Sequence, residues 1–123
     1  MATFKRFEDI QAWQKARQAT SMIYEITAGK PFAKDFGLCG QIQRASVSIM
    51  ANIAEGFGRH SDKEFANFLN IAHGSVAEVQ SHLYVALDLK LIDEPTFKKL
   101  CDLLAEISRM IFSLATHLRN TQK

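Results

Sequence analysis

Apolar side chains recur along the second half of the chain with the period of an α-helix. Their spacings alternate between three and four residues in two long runs. A strand that buries one face would repeat every second residue, so each run predicts a helix with one apolar stripe. The stripes are Phe65, Leu69, Ala72, Val76, Val79, Leu83 and Ala86, and then Phe97, Leu100, Leu104, Ile107, Ile111, Leu114 and Leu118.

The first half of the chain predicts two further helices. One has a regular stripe, formed by Leu38, Ile42, Ala45, Ile49 and Ile53. The helix before it is less regular, with Ile10, Trp13, Ile23 and Ile26 on one side and Phe4 and Phe7 leading in. Four helices are therefore expected, numbered here in chain order.

Glycine and proline mark the predicted helix ends. Gly29 and Pro31 end the first helix, because glycine suits a helix C-terminus and proline disfavours helix in the residue before it. Gly56 and Gly58 are expected to end the second helix in the same way.

Polar residues mark the predicted helix starts. Ser61 followed by Glu64 matches a capping box, in which each side chain bonds a free backbone N–H of the first turn. At the predicted start of the fourth helix, Asp93 supplies a negative charge and Pro95 lacks a backbone N–H, and both features favour the first turn of a helix. The short links that result force neighbouring helices to run in opposite directions. We therefore predict an all-α chain folded as one domain over residues 1–123, an antiparallel up-down-up-down four-helix bundle.

Composition agrees with a folded cytoplasmic protein. Of 123 residues, 47% are apolar and 23% are charged, which argues against disorder. Apolar runs are too short to span a membrane, and the opening MATFKRFEDI lacks the apolar core of a secretory signal. Cys39 and Cys101 lie in helical patterns, so we interpret them as buried small hydrophobes, with a disulfide or a reactive thiol as the alternatives.

The second and third helices carry more apolar residues than one bundle needs. These extra positions are Val47, Met50, Ala51, Ala54 and Phe57 on the second helix and Phe68, Ile71 and Tyr84 on the third. A second buried face would account for them, and self-association is the simplest way to bury it. We therefore expect a homo-oligomer.

A line of polar residues runs beside the stripe of the second helix. Its members are Gln41, Arg44, Ser48, Asn52 and Glu55, spaced three or four residues apart. Two interpretations stay open. The line is either a solvated face with ion pairs along the helix, or a polar network at a helix or subunit interface that fixes register.

Charge is unevenly distributed along the chain, although the formal net charge is only +2. Residues 1–34 hold six basic and three acidic residues, residues 35–106 hold six and ten, and residues 107–123 hold three and none. An antiparallel bundle places both outer segments at one end, which should be mildly positive. The candidate nucleic-acid contacts at that end are Lys5, Arg6, Arg59, Lys63, Arg109, Arg119 and Lys123.

No residue pattern indicates catalysis, a cofactor or a metal. The four histidines, His60, His73, His82 and His117, include no pair at helical spacing, and Glu78 with His82 offers too few ligands for zinc. No phosphate-binding loop, nucleophile elbow or Glu-x-x-His motif of a dimetal bundle is present. We therefore expect no enzymatic activity.

The region from Gln41 to Leu83 resembles a known family. Its most specific block is NIAEGFGR at Asn52–Arg59, and the first helix adds Phe7-Glu8-Asp9, Trp13-Gln14, Ala16 and Tyr24. Other matching positions are Arg44-Ala45, Ser48-Ile49, Phe68-Leu69, Ala72, Gly74-Ser75 and Glu78. In these features the chain resembles the four-helix-bundle proteins encoded in intervening sequences of bacterial 23S ribosomal RNA genes.

That resemblance implies a left-handed antiparallel bundle, a ring-like homopentamer and no enzyme activity. A more distant relative, the accessory protein of diversity-generating retroelements, engages reverse transcriptase and nucleic acid through a strongly basic surface that this chain lacks. The family usually has proline after Ser-Ile, whereas this chain has Met50, which places a family-type kink in doubt.

Three functional hypotheses follow. The first is a non-enzymatic oligomeric scaffold that binds another protein. The second is an RNA- or DNA-associated accessory protein that contacts phosphates through its basic end. The third, which has the least support in the sequence, is a small-molecule pocket in the bundle core.

Overall fold

Four long helices account for most of the protein. The structure, a computed structural model, describes residues 4–121. Its helices are α1 (Gln11–Ala28), α2 (Phe36–Gly58), α3 (Asp62–Asp88) and α4 (Glu94–Asn120), with 3₁₀ turns at Phe7–Asp9 and Phe32–Lys34. No strand is present between residues 4 and 121, so the all-α, four-helix prediction is confirmed.

Side-chain contacts show that neighbouring helices run in opposite directions. Between α3 and α4, Asp62 accepts a hydrogen bond from the Thr121 hydroxyl at 3.0 Å, and Tyr84 packs edge-on against Phe97 with ring centroids 4.9 Å apart. Thus the start of α3 meets the end of α4, and the end of α3 meets the start of α4.

The same alternation holds around the rest of the bundle. Ser48 of α2 contacts Ser75 of α3 at 2.9 Å, and Gly56 near the end of α2 lies against Phe65 near the start of α3. Thr20 of α1 donates to the backbone oxygen of Ser46 of α2 at 3.2 Å, and Thr27, later in α1, accepts from Gln43, earlier in α2, at 3.0 Å. The helices therefore pack in the cyclic order α1, α2, α3, α4. The up-down-up-down arrangement is confirmed, while the left-handed sense stays a prediction.

The predicted apolar stripes form one continuous core. Every stripe position of α2 and α3 is at most 8% exposed. In α4 all stripe residues are fully buried except Phe97 and Leu114, which are partly buried against the same core. The stripe of α1 was predicted incompletely, because its buried side consists largely of small residues: Ala12, Ala16, Ala19, Ile23 and Thr27.

The predicted helix starts are largely correct. Ser61 accepts a hydrogen bond from the backbone N–H of Glu64 at 3.3 Å, and Asp93 accepts one from Thr96 at 2.8 Å. The second half of the capping box is absent, because the Glu64 carboxylate lies 3.9 Å from the Arg59 guanidinium instead. Sequence reasoning missed a third cap, at Asp35, whose carboxylate accepts from the N–H of Leu38 at 3.0 Å.

Gly56 has a different role from the one predicted. It is a buried residue inside α2, and only Gly58 ends the helix. A Cβ atom at Gly56 would lie 2.6 Å from Cβ of Phe68 and 3.3 Å from the carbonyl oxygen of Phe65. Glycine is therefore required there because α3 approaches the α2 backbone too closely for any side chain.

The helix surfaces are not those of membrane spans. Within residues 4–121, no helix joins the required length to a sufficiently apolar composition for crossing a bilayer.

We expect Gly56→Ala to lower the free energy of unfolding by about 1–2 kcal/mol, because backbone-proximal atoms must move and the gain in helix propensity recovers less than that. Gly58→Ala is the matched control, since nothing lies within 4 Å of its added Cβ. Urea denaturation of both variants measures the difference. Equal stability of Gly56→Ala and wild type would contradict the close approach.

We expect the Asp93 cap to make stability depend on pH. Hydrogen bonds from the Thr96 side chain and backbone hold the pKa of Asp93 below its usual value. The charged carboxylate therefore stabilises the fold above the unfolded-state pKa of about 3.9, and this contribution is lost as pH falls through the lower folded-state pKa. Melting temperatures of wild type and Asp93→Asn should differ at neutral pH and converge as pH falls through the folded-state pKa of Asp93. A difference that is constant with pH would contradict this.

Candidate functional site

The polar line of α2 meets α3 at its centre. The hydroxyl groups of Ser48 and Ser75 are hydrogen-bonded at 2.9 Å across the two helices. Asn52 donates through Nδ2 to the backbone oxygen and the hydroxyl of Ser48, at 2.8 and 3.0 Å. These three side chains form a polar network in the groove between α2 and α3. The network fixes one point of the register between the helices.

The ends of the line are exposed to solvent. Gln41 and Arg44 are exposed, and among residues 4–121 the Arg44 guanidinium has no ion-pair partner. Glu55 accepts a hydrogen bond at 2.8 Å from Arg59, whose guanidinium also lies 4.9 Å from the Phe68 ring centroid. Each of the two interpretations of the line therefore describes part of it, and a role in assembly stays a prediction.

Large apolar side chains flank this groove. Three of them, Ile71, Val85 and Leu89, are between 43% and 57% exposed. Ile71 lies one turn before Ser75, and Val85 lies two heptads after Ile71, so they share the side of α3 that borders α2. We call this surface the α2–α3 face and define it by Ile71, Val85 and Leu89. The exposed Phe36 and Val47 lie instead on the edge of α2 toward α1, because Val47 comes one turn after Gln43, which bonds Thr27 of α1.

Part of the predicted surplus is instead buried within the chain. Met50 and Phe57 are partly buried against the core of their own bundle, which accounts for much of their apolar surface. Phe57 packs edge-on against Phe65 with ring centroids 6.0 Å apart. Tyr84 is 59% exposed but belongs to the α3–α4 seam through its contact with Phe97. The exposed remainder of the prediction is therefore centred on Val47, Ala51 and Ile71.

The candidate nucleic-acid residues are only partly brought together. Phe4 and Lys5 line a cavity of about 250 Å³ with residues of the α2–α3 turn, and Thr121 bonds Asp62 in the first turn of α3. Five of the seven candidates are exposed at this end of the bundle: Lys5, Arg6, Arg59, Lys63 and Arg119. Arg109 lies about 15 Å further along α4, and Lys123 lies outside the described residues.

Carboxylates are interspersed with these cations. Arg6 lies 3.9 Å from Glu8, and Arg59 is paired with both Glu55 and Glu64. Within residues 4–121, ion pairs involving Lys5, Lys63 and Arg119 are absent. The end that was expected to be mildly positive is therefore a surface of mixed sign with three unpaired cations among the described residues.

Sequence reasoning missed a pair of polar side chains that joins α3 to α4. Nε2 of His73 lies 2.8 Å from the Ser108 hydroxyl, a separation that suits a nucleophile and a base. Ser108 lies in the middle of α4, where backbone N–H groups are bonded within the helix and cannot stabilise an oxyanion. The pair therefore links two helices. His73 and Ser108 are about equally far in sequence from the α3–α4 turn near residue 91. Residues at equal distances from the turn face each other in an antiparallel helix pair, so the sequence contained a signal for this contact.

The other titratable side chains that bear on chemistry are His82 and the two cysteines. His82 lies 3.6 Å from Glu78, one turn away on α3, and its Nε2 is buried without a hydrogen-bond partner. No group of three metal-ligating side chains occurs in the described part of the chain. Both cysteines are free and partly buried, and burial raises the pKa of the Cys39 and Cys101 thiols, which lowers their reactivity.

Comparison with solved structures supports the bundle assignment. A crystal structure of a protein of unknown function from the S23 ribosomal protein family of Bacteroides thetaiotaomicron superposes with a TM-score of 0.77. It is 25% identical in sequence, and the alignment covers 85% of this chain and 97% of that one. No protein of curated function matches the chain.

Comparison with protein families gives the assignment directly. The family described as 23S rRNA-intervening sequence protein matches residues 8–113, which include α1, α2, α3 and most of α4. Since the match extends over most of the chain, the protein belongs to the 23S rRNA-intervening sequence protein family.

Proposed function

We propose that the chain acts without catalysis, as a homo-oligomeric scaffold in the cytoplasm. The α2–α3 face of each copy packs against a different surface of the next copy, which closes a ring, and the family resemblance suggests five subunits. The assembled ring then presents its remaining surface to a protein partner. The exposure of Ile71, Val85 and Leu89 on the side of α3 that borders α2 is the observation that carries this proposal.

The apolar surface supplies part of the free energy of association. Burying a large aliphatic side chain contributes about 1.5–3 kcal/mol, so three partly exposed ones offer on the order of 2–5 kcal/mol. Association costs about 4–15 kcal/mol in lost rigid-body freedom and ordering of side chains. The apolar gain therefore reaches only the lower end of that cost. The apolar residues alone therefore give a marginal interface, and polar contacts have to add to it.

The polar line supplies such contacts. The Arg44 guanidinium lacks an ion-pair partner within residues 4–121, and Glu78, on the neighbouring edge of α3, is exposed. A second copy that matched Arg44 to such a carboxylate would gain orientation as well as affinity. The buried Ser48–Ser75–Asn52 network beneath them would keep the two helices of the face in one register.

The geometry of the pair formed by His73 and Ser108 supports a non-catalytic role. The Ser108–His73 pair lacks oxyanion donors, and the raised thiol pKa values disfavour cysteine nucleophiles.

We expect light scattering to give a mass several times the 13.9 kDa of one chain. Ile71→Glu should reduce that mass toward 13.9 kDa, because Ile71 is 53% exposed and the charge is costly only when a second copy covers it. Phe112→Glu, on α4 at 63% exposure and beside His73, is the matched control and should leave the mass unchanged.

Two results would contradict this proposal. If the wild type is monomeric at micromolar concentration, the proposed oligomer does not form. If the mass of Ile71→Glu equals that of the wild type, the interface does not lie on the α2–α3 face. Circular dichroism of both variants confirms that each remains helical.

A second candidate function is phosphate-backbone binding at the end of the bundle that carries Lys5, Lys63 and Arg119. Their lack of ion-pair partners in the described part of the chain favours this candidate. The adjacent carboxylates oppose it, because they repel phosphate.

We expect fluorescence anisotropy with a structured RNA to decide between the candidates. Three phosphate contacts would weaken binding by about 40-fold between 50 and 200 mM salt, and Lys63→Gln should reduce the salt slope by about one unit. Gln18→Ala, on the exposed side of α1, is the control. Absence of binding at both salt concentrations eliminates this second candidate and leaves the scaffold proposal in place.

A further inference from the structure

A groove of about 490 Å³ lies between the N-terminal segment and α4. Its apolar wall is formed by Phe4, Ile10, Ala12, Met110 and Leu114. Ile10 and Ala12 are almost fully buried, so the bundle core holds this wall in place. The volume falls within the range of about 300–1,000 Å³ that small-molecule sites occupy.

Two opposite charges stand at the same groove without meeting. Asp9 and Arg109 both line it, yet no ion pair within 4.0 Å joins them or links either to another side chain of residues 4–121. Oδ2 of Asp9 accepts the backbone N–H of Arg6 at 3.1 Å, which fixes the carboxylate at the start of the 3₁₀ turn. The groove therefore offers one anchored anion and one unpaired cation beside an apolar wall.

We propose that this groove binds an α-amino acid with a large apolar side chain. The ligand carboxylate bonds the Arg109 guanidinium, its ammonium group bonds the Asp9 carboxylate, and its side chain lies against the apolar wall. Gln11 and Ser113, which also line the groove, add hydrogen-bonding groups at its rim.

Charge complementarity selects this ligand class. A fatty acid would satisfy Arg109 but place its carboxylate beside Asp9, and an apolar amine would place its ammonium beside Arg109. Like charges at close range are unfavourable, and this effect is larger beside a low-dielectric wall than in water. A zwitterion with its two charges on neighbouring atoms of one end satisfies both side chains.

The groove and the α2–α3 face are on opposite sides of the bundle. The groove lies where α4 meets the segment leading into α1, and the face lies on α2 and α3. Ligand binding therefore leaves the α2–α3 face free, and this inference does not rest on the proposed assembly.

The test uses the full chain, labelled with ¹⁵N, and L-phenylalanine as the probe. Titration should shift the amide resonances of Ile10, Ala12 and Leu114 saturably, with one ligand per chain. 3-Phenylpropionate, which lacks the ammonium group, and 2-phenylethylamine, which lacks the carboxylate, should each bind about ten-fold more weakly, because each loses a charge-assisted hydrogen bond.

Two charge-neutralising variants separate the contributions of the two charges. Arg109→Gln should abolish the preference for L-phenylalanine over 2-phenylethylamine, and Asp9→Asn should abolish its preference over 3-phenylpropionate. Asn at position 9 retains an oxygen acceptor for the Arg6 N–H, so the turn is kept. Lys98→Gln, at the far end of α4 and 78% exposed, is the control that should change neither preference.

Several outcomes overturn the proposal. Absence of any saturable shift up to about 10 mM L-phenylalanine removes the site. If neither variant changes the affinity for L-phenylalanine, the ligand binds outside this groove. Equal or tighter binding of 3-phenylpropionate, or of decanoate as a longer anionic probe, assigns the groove to anionic amphiphiles instead.

Discussion

The close approach of α2 to α3 is the constraint on which the rest of the structure depends. At Gly56 the backbone of α2 touches Phe65 and Phe68, and 12 Å along the helix Ser48 is bonded to Ser75. Two fixed points prevent one helix from sliding along the other. The stripes of both helices therefore face one core, and α1 and α4 complete the bundle from the other side.

The apolar period predicted most of this fold, because a repeat of three and four residues states which side of a helix is buried. It could not predict how closely two helices approach. Gly56 was interpreted as a helix end because glycine is common there, whereas its contacts come from a helix that begins six residues later. Phe32 was missed for a related reason: a buried side chain on a three-residue turn has no period to reveal it.

The candidate surfaces were predictable to a smaller extent. Spacing shows that Gln41 and Glu55 lie on one side of α2, but only the rotation of α2 against α3 decides that Ser48 and Asn52 meet its neighbour while the ends of the line stay in solvent. The groove beside Arg109 depends on a segment without helical period that folds back against α4, so no local pattern marks it.

The lengths of the helices have a consequence for handling the protein. α1 has 18 residues, nine fewer than α3 or α4, which makes it about 13 Å shorter. The exposed connection Gly29–Pro31 follows the C-terminal end of α1. Exposed connections tolerate added sequence better than packed helices do. A fluorescent reporter or an affinity tag inserted there would project from the end opposite residues 4 and 121, clear of the groove beside Arg109.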